Sequence, residues 1–258
     1  MNRLIFITGA SSGIGQALAQ RCGAQGWRLA LVARRPAELE AWAATQAWPA
    51  DAWRVYGGDV ADIDSIVAAG QACLAAQGVP DVVVANAGIS VGMDTSERGD
   101  LDVMARTFAV NNVGMAATFH PFIGAMRRRG SGTLVGIASV AAIRGLPGHG
   151  AYCASKAGVL AYCESLRGEL RGSGVRMVTL LPGYIDTPLT RRNRYAMPFL
   201  MPAEVFAERA LRVIGQGISY RVIPWPMAVV AKLLRLMPNA LLDRVLAGRA
   251  RKARAGEP

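Results

Sequence analysis

Tyr152 and Lys156 are the residues whose types and spacing most directly indicate chemistry. They stand one helical turn apart, so a helix would place both side chains on one face. A phenol has an unperturbed pKa of about 10, and a nearby lysine ammonium favours the phenolate and lowers that pKa. Such a pair can exchange a proton near neutral pH, with Ser139 as a neighbouring hydrogen-bond donor. A Tyr/Lys pair at this spacing, taken alone, is more often a surface contact.

A glycine-rich segment, TGASSGIG at 8–15, directly follows the first apolar run and opens into a helical pattern. Gly9, Gly13 and Gly15 permit a tight turn and the close approach of a pyrophosphate. The N–H groups and dipole of the helix start would hold its charge. The alternative is a glycine-rich turn without a ligand, but a position after the first strand of an alternating chain favours the phosphate loop.

Short apolar runs alternate with helix-like stretches as far as about Pro224. This alternation predicts an α/β fold, a doubly wound parallel seven-stranded sheet (Rossmann-like) in a single domain with a C-terminal helical tail. We predict strands at 4–8, 28–33, 53–57, 81–85, 132–138, 176–181 and 221–223. We predict helices at 15–25, 36–46, 65–77, 101–128, 151–171 and 202–216. After Pro226, further helices are predicted at 227–237 and 240–251, the second capped by Asn239.

The composition of 258 residues, 52% hydrophobic and 18% charged, indicates one compact core and excludes a mainly disordered or disulfide-rich chain. Four cysteines without paired spacing and only two histidines argue against a zinc cluster. The apolar run at 4–7 is too short for an export signal. We therefore expect reduced thiols, a cytoplasmic protein and no metal.

The net charge of +11 lies in three islands: 127–129, the arginines of 191–194, and the chain after Pro226. The rest of the chain is neutral. Nucleic-acid binders more often interleave basic and aromatic residues on one continuous face, so we expect no nucleic-acid partner.

Further motifs follow the predicted strands in order, and with them the chain resembles the compact single-domain branch of the short-chain dehydrogenase/reductase family. The resemblance covers about residues 3 to 224. It rests on T-G-x-x-x-G-x-G at 8–15, Asn86-Ala87-Gly88, Asn111-x-x-Gly114, Ser139, Tyr152-x-x-x-Lys156 and Pro182-Gly183-x-Ile185-x-Thr187.

The resemblance implies an oxidoreductase that interconverts a carbonyl and an alcohol, with Asn111, Ser139, Tyr152 and Lys156 as catalytic residues. In that assignment Tyr152 protonates the substrate oxygen and Ser139 donates a hydrogen bond to it. Asn111 holds a water that relays protons to Lys156. The competing interpretation of Asn111 is a helix-interrupting residue satisfied by the backbone.

The resemblance also implies a dinucleotide site. Asp59 and Val60 would flank the adenine, Asn86 would meet the adenosine ribose, and Ile185 and Thr187 the nicotinamide carboxamide. The cofactor-binding residues predicted in this way are Gly9, Ser11, Ser12, Gly13, Ile14, Gly15, Arg34, Arg35, Asp59, Val60, Asn86, Ala87, Gly88, Tyr152, Lys156, Pro182, Gly183, Ile185 and Thr187.

The end of the second strand indicates which dinucleotide binds. In dinucleotide folds an acidic residue there accepts hydrogen bonds from the ribose diol and repels a 2′-phosphate. This chain has Ala33 followed by Arg34 and Arg35, whose guanidinium groups can pair with a phosphate, so NADP(H) is the expected cofactor. The alternative is that both arginines only solvate the start of the next helix.

The segment after Thr187, PLTRRNRYAMPFLMP, is rich in apolar residues. It favours a bulky hydrophobic ketone or secondary alcohol, with lipid-like compounds among the candidates. Arg191, Arg192 and Arg194 would attract an anionic group or be merely solvated.

We expect a dinucleotide-binding catalytic domain at 1–225, which pairs into a homodimer through helices 101–128 and 151–171. The remaining 226–258 would be a basic amphipathic tail, either in peripheral contact with an anionic membrane or folded back on the domain. Two other functions compete. A non-catalytic NADPH-binding regulatory protein has no need for Ser139, Tyr152 and Lys156 together, and a sugar-nucleotide epimerase or dehydratase would need a larger C-terminal domain.

Overall fold

The computed structural model describes residues 3–191, 193, 195–248, 251–254 and 256. Its centre is a seven-stranded parallel sheet. The chain enters it in the order β1 (Leu4–Thr8), β2 (Arg28–Ala33), β3 (Trp53–Gly57), β4 (Val82–Ala85), β5 (Gly132–Ile137), β6 (Val175–Pro182) and β9 (Tyr220–Ile223). Two short strands, β7 (Ile185–Asp186) and β8 (Met201–Pro202), form a separate parallel ladder that the sequence did not predict.

Helices cover both faces of the sheet, so β1 and β4 are continuous apolar runs with every residue buried. One core layer includes Ile66, Phe122 and Val159, and the other includes Leu18 and Phe206. The helices are α1 (Gly13–Ala24), α2 (Pro36–Ala44), α3 (Ile63–Gln77), α4 (Arg98–Phe108), α5 (Gly114–Arg129), α6 (Gly150–Glu169), α7 (Ala203–Gln216), α8 (Trp225–Leu236) and α9 (Asn239–Leu246). The predicted doubly wound α/β fold is confirmed.

The strand order β3-β2-β1-β4-β5-β6-β9 reverses direction between β1 and β4. At such a reversal the following segments turn to opposite faces, which opens a crevice beyond the carboxyl ends of the two strands. The glycine-rich segment follows β1, and Asn86 follows β4. The sheet therefore brings two predicted motifs to one crevice.

The predicted helix at 101–128 is not continuous. A π-helical turn, Ala109–Val113, separates α4 from α5. In this turn Asn112 donates to the Ser155 carbonyl at 2.9 Å. A Cβ on Gly114 would lie 2.3 Å from the Val60 carbonyl oxygen, so the glycine permits close approach of the β3–α3 connection. These contacts come from distant parts of the chain, and helical periodicity contains no sign of them.

The tail forms two helices as predicted, but with different ends. The second helix, α9, ends at Leu246 rather than 251, and residues 249 and 250 lie outside the described residues. Asn239 is not its cap: Pro238 occupies that position, and Asn239 Oδ1 accepts a hydrogen bond from Arg144 at 2.7 Å. Met227 of α8 belongs to the main core, so the tail packs directly on the domain.

Candidate active site

The segment after β1 approaches the start of α1 so closely that side chains are excluded. Gly9 has φ +66°, and a Cβ on Gly15 would lie 2.3 Å from the Gly9 carbonyl oxygen. Helix α1 has neither a side-chain cap nor an acidic residue in its first turn. Its first N–H groups therefore suit an anion such as a pyrophosphate.

Asn86 and Thr8 fix this segment against the neighbouring strand end. The Asn86 side-chain amide donates to the carbonyl oxygens of Thr8 at 3.0 Å and Gly9 at 3.2 Å. The Thr8 hydroxyl accepts from the Asn86 backbone N–H at 3.2 Å. Asn86 thus braces the loop, while its predicted contact with the adenosine ribose stays a prediction.

Ser139, two residues beyond β5, and Tyr152, in the first turn of α6, meet at the same edge of the sheet. Ser139 Oγ accepts from the Ala141 N–H at 3.1 Å, and its side chain is hydrogen-bonded to Tyr152. Lys156 lies one turn further along α6, with Nζ 5.9 Å from the centroid of the Tyr152 ring. Tertiary structure therefore brings the three predicted residues together.

Burial dominates the electrostatics of this group. It raises the pKa of Tyr152, and the hydrogen bond from Ser139 acts in the opposite direction. Burial also lowers the pKa of Lys156 to about 8, although its ammonium donates to the Ile137 carbonyl at 2.8 Å. The Tyr152 pKa is therefore raised rather than lowered in the cofactor-free structure, with desolvation of the phenol as the main cause.

Asn111 lies in the π-helical turn and is almost completely buried. Its Oδ1 accepts from the Ile89 N–H at 2.9 Å, and its Nδ2 donates to the Ile89 carbonyl at 3.0 Å and to Ser155 Oγ at 2.9 Å. These contacts agree with the interpretation as a helix-interrupting residue satisfied largely by the backbone. The predicted water relay to Lys156 is untested.

One open cavity joins the glycine-rich segment to Ser139, Tyr152 and Lys156. It is lined by every predicted catalytic and cofactor-binding residue except Gly15, Arg35 and Asn111. Arg34 faces this cavity, whereas the Arg35 guanidinium pairs with Glu38 at 3.0 Å. Sequence reasoning missed Ile89, Arg106 and Val110, which share no motif and reach the cavity through the packing of the β4–α4 connection, α4 and the π-helical turn, respectively.

A second group missed from the sequence lies near Tyr152. His149 is buried, and its Nδ1 lies 3.2 Å from the Pro147 carbonyl, which favours the tautomer with Nε2 as acceptor. Nε2 lies 3.0 Å from the Tyr195 hydroxyl, so His149 holds the segment after Thr187 against the start of α6. Met93 also contacts this turn, since its sulfur accepts from the Ala151 N–H at 3.1 Å.

The segment after Thr187 is apolar in sequence, but only part of it faces inward. Leu189 lines the cavity, whereas Phe199 and Leu200 are exposed, so the two latter residues do not form a pocket wall. Arg191 pairs with Asp186 at 2.7 Å, and Arg192 and Arg194 lie outside the described residues.

Comparison with known proteins gives the family. The model of the short chain dehydrogenase family matches residues 3–197. An uncharacterized oxidoreductase of Myxococcus xanthus is 36% identical over 241 residues, which cover 93% of this chain and 95% of that protein. The chain belongs to the short-chain dehydrogenase family and is a dehydrogenase/reductase.

Solved structures agree in fold. A short-chain dehydrogenase from Burkholderia cenocepacia in complex with NADP has a TM-score of 0.81 at 21% identity, covering 95% of this chain and 98% of that one. A short-chain dehydrogenase/reductase from Burkholderia phymatum in complex with NAD has a TM-score of 0.79 at 24% identity, covering 90% and 92%. Likeness at this identity shows the fold, and the two complexes contain different dinucleotides.

Lys156 should make the stability of the cofactor-free protein depend on pH. Its pKa falls from 10.5 in the unfolded chain to about 8 in the folded one, so burying the ammonium opposes folding below pH 8. This destabilisation of the folded state decreases as the pH rises from about 8 towards 10.5, because Lys156 is then protonated in the unfolded chain and neutral in the folded one. Lys156→Met lacks this effect. The free energy of unfolding of the wild type should therefore rise, relative to that of the variant, by up to about 1.4 kcal/mol per pH unit in this range.

Urea unfolding at pH 7.5, 8.5 and 9.5 measures this difference. The buried thiols, whose pKa values are raised, are present in both proteins and cancel in the comparison. A difference that stays constant with pH would contradict the depressed pKa.

Proposed function

We propose that this protein is an NADP(H)-dependent carbonyl reductase that acts on a bulky hydrophobic ketone and, at the opposite cofactor ratio, oxidises the corresponding secondary alcohol. The observation that carries the proposal is the single cavity joining the glycine-rich segment and Arg34 to Ser139 and Tyr152. It offers one site for a phosphate-bearing dinucleotide and for a proton donor.

The cofactor side of the cavity suits NADP(H). Gly9, Gly13 and the start of α1 would hold the pyrophosphate, while Ile185 and Thr187 line the opposite end, where the nicotinamide would lie. No acidic side chain follows Ala33, and Arg34 lines the cavity where a 2′-phosphate would need a cation. When bound, the reduced nicotinamide supplies the hydride.

Arg34→Ala should weaken NADPH binding by about 1–3 kcal/mol, roughly 10- to 100-fold, and leave NADH binding nearly unchanged, because only NADPH has the 2′-phosphate. Fluorescence titration with both dinucleotides measures the change. Arg35→Ala is the matched control, since Arg35 pairs with Glu38 outside the cavity. Equal affinities of the wild type for both dinucleotides, or unaltered NADPH binding by Arg34→Ala, would sink the assignment.

The chemistry assigned to the chain is proton delivery. The Tyr152 hydroxyl would protonate the carbonyl oxygen as negative charge develops there, and the Ser139 hydroxyl would share that charge through a hydrogen bond. The Ala141 N–H orients Ser139 Oγ, and with substrate bound the Ser139 hydroxyl would turn its hydrogen from Tyr152 to the substrate oxygen. Lys156 is fixed by the Ile137 carbonyl and would stabilise the phenolate left after proton transfer.

Tyr152→Phe should reduce turnover at least about 100-fold with folding and NADPH binding intact, because it deletes the transferable proton but keeps the ring. The assay follows NADPH absorbance with a panel of ketones, aldehydes and 3-oxoacyl compounds. Tyr162→Phe is a control on the same helix, outside the cavity. Wild-type rates in Tyr152→Phe would remove Tyr152 from the mechanism, and NADPH binding without turnover of any compound would favour a regulatory protein.

The assembly we propose is a homodimer formed through α4–α5 and α6. Support comes from exposed apolar side chains on the first of these elements, Leu101, Met104 and Val113, and from half-buried Leu160 and Tyr162 on α6. Light scattering at micromolar concentration should give twice the chain mass of 27.3 kDa. A monomer mass throughout that range would contradict the dimer.

We also propose that this protein is cytoplasmic and that its tail, 226–258, makes peripheral contact with an anionic membrane surface. In the described part of the chain, no helix is long and apolar enough to cross a bilayer. Helix α8 instead exposes one apolar stripe at i, i+4, i+8 and i+11, while Met227 and Ala231 are buried on its other side. The stripe comprises Trp225, Val229, Leu233 and Leu236, with the last 81% exposed.

The charge around this stripe favours anionic lipid over a second copy of the chain. Helix α8 itself contains two basic residues, Lys232 and Arg235, and no acidic one. A second copy docked on α8 would oppose like charges, whereas an anionic surface would complement them. On α9, Leu242 and Leu246 are buried and cannot contribute, whereas Leu241 is exposed.

Wild-type protein should float with liposomes that contain anionic lipid at low salt, and Leu233→Glu/Leu236→Glu should not, because two carboxylates in the apolar stripe cannot enter the lipid interface. Ala41→Glu/Ala44→Glu makes the same charge change on exposed positions of α2 and should float like the wild type. Failure of the wild type to bind, or equal binding by the stripe variant, would exclude the membrane contact.

A further inference from the structure

Residues 251–254, which we call the C-terminal strap, lie against the segment that follows β4. The Gly92 N–H donates to the Ala253 carbonyl at 3.0 Å, and Gly92 and Arg254 form an isolated parallel bridge. A Cβ on Gly92 would lie 2.1 Å from the Lys252 carbonyl oxygen. The two backbones approach so closely that only glycine fits at position 92.

A largely buried ion pair between Arg254 and Asp100 holds the strap in place. Arg254 Nε donates to Asp100 Oδ2 at 2.7 Å, and the same oxygen accepts from the Asp94 N–H at 2.7 Å. The Asp100 side chain is 8% exposed, so water screens the pair poorly. The hydrogen bond from Arg254 is also the main cause that lowers the pKa of Asp100.

The second arginine of the strap differs. Arg251 approaches Asp94 at 3.6 Å, but both side chains lie largely in water, 65% and 42% exposed. A solvent-exposed pair of this kind contributes little. The strap therefore contains a strong tie and a weak one, three residues apart.

The strap is joined to the catalytic helix through one intermediate residue. Met93 follows Gly92; its N–H donates to the Gly148 carbonyl at 3.1 Å, and its sulfur accepts from the Ala151 N–H, next to Tyr152. On the other side, Lys252 Nζ donates to Asn193 Oδ1 at 3.1 Å, close to Tyr195. The strap thus contacts the β4–α4 connection at Gly92 and the segment after Thr187 at Asn193. These two segments flank Tyr152 where the substrate would bind.

We propose that the Arg254–Asp100 tie is a positioning device for substrate, which holds the strap against Gly92 and so fixes the first turn of α6 relative to the segment after Thr187. This inference rests on the proposed reductase function. The family model ends at residue 197, so the strap lies outside the matched residues. Arg254 touches no reacting atom and acts through Met93 and Ala151.

The test compares Arg254→Ala with Arg254→Lys and with the control Arg251→Met, which removes the exposed charge and keeps the aliphatic chain that packs on Gly148. For a ketone reduced by the wild type, Arg254→Ala should raise KM and lower kcat/KM about 10- to 100-fold, because small displacements of a reacting pair are costly. Arg254→Lys should recover part of the loss by restoring the charge. Arg251→Met should match the wild type, and NADPH affinity should be the same in all four proteins.

Amide hydrogen exchange gives a second readout that needs no substrate. In Arg254→Ala, peptides covering 92–94 and 148–151 should exchange at least about tenfold faster, with β1 and β4 unchanged. Absence of turnover in the wild type would remove the proposed function while leaving this readout intact. Turnover in the wild type, with Arg254→Ala equal to Arg251→Met in both KM and exchange, would overturn the positioning role.

Discussion

The reversal of strand order between β1 and β4 is the constraint on which the rest of the site depends. Parallel strands end at one edge of the sheet, and only at the reversal do the following segments part to leave a crevice. Thr8 and Asn86 bridge the two strand ends through hydrogen bonds to each other and to Gly9. The glycine-rich segment therefore keeps its shape through bonds within the protein.

Placing the proton-transfer group in this crevice has an electrostatic consequence. Lys156 is buried and Tyr152 is half-buried, and desolvation lowers the pKa of the ammonium and raises that of the phenol. The protein compensates locally: Ser139 bonds the phenol and the Ile137 carbonyl accepts the ammonium. Because Ile137 ends β5 and Ser139 follows it, one strand supports both catalytic side chains of α6.

The tail combines three relationships with the domain. Met227 completes the core, α8 turns an apolar stripe to the exterior, and the strap returns to the loop at Gly92. Both the stripe and the opposite side of α8, at Met227 and Ala231, are apolar, so the sequence alone predicted two helices without indicating which side packs. In the structure Met227 and Ala231 are buried, so the side of α8 that contains them packs on the domain.

The sheet and the local motifs could be predicted from the sequence alone. Strands such as Leu4–Thr8 are apolar runs of the right length, and Gly9, Gly15, Tyr152 and Lys156 act within a single loop or helical turn, so short-range spacing contains the information. Other features depend on contacts between distant residues and follow from the tertiary structure alone. The π-helical turn at Asn111, the His149–Tyr195 contact, the raised pKa of Tyr152 and the Arg254–Asp100 tie each join residues remote in sequence or arise from burial, and neither distance nor desolvation is encoded in local spacing.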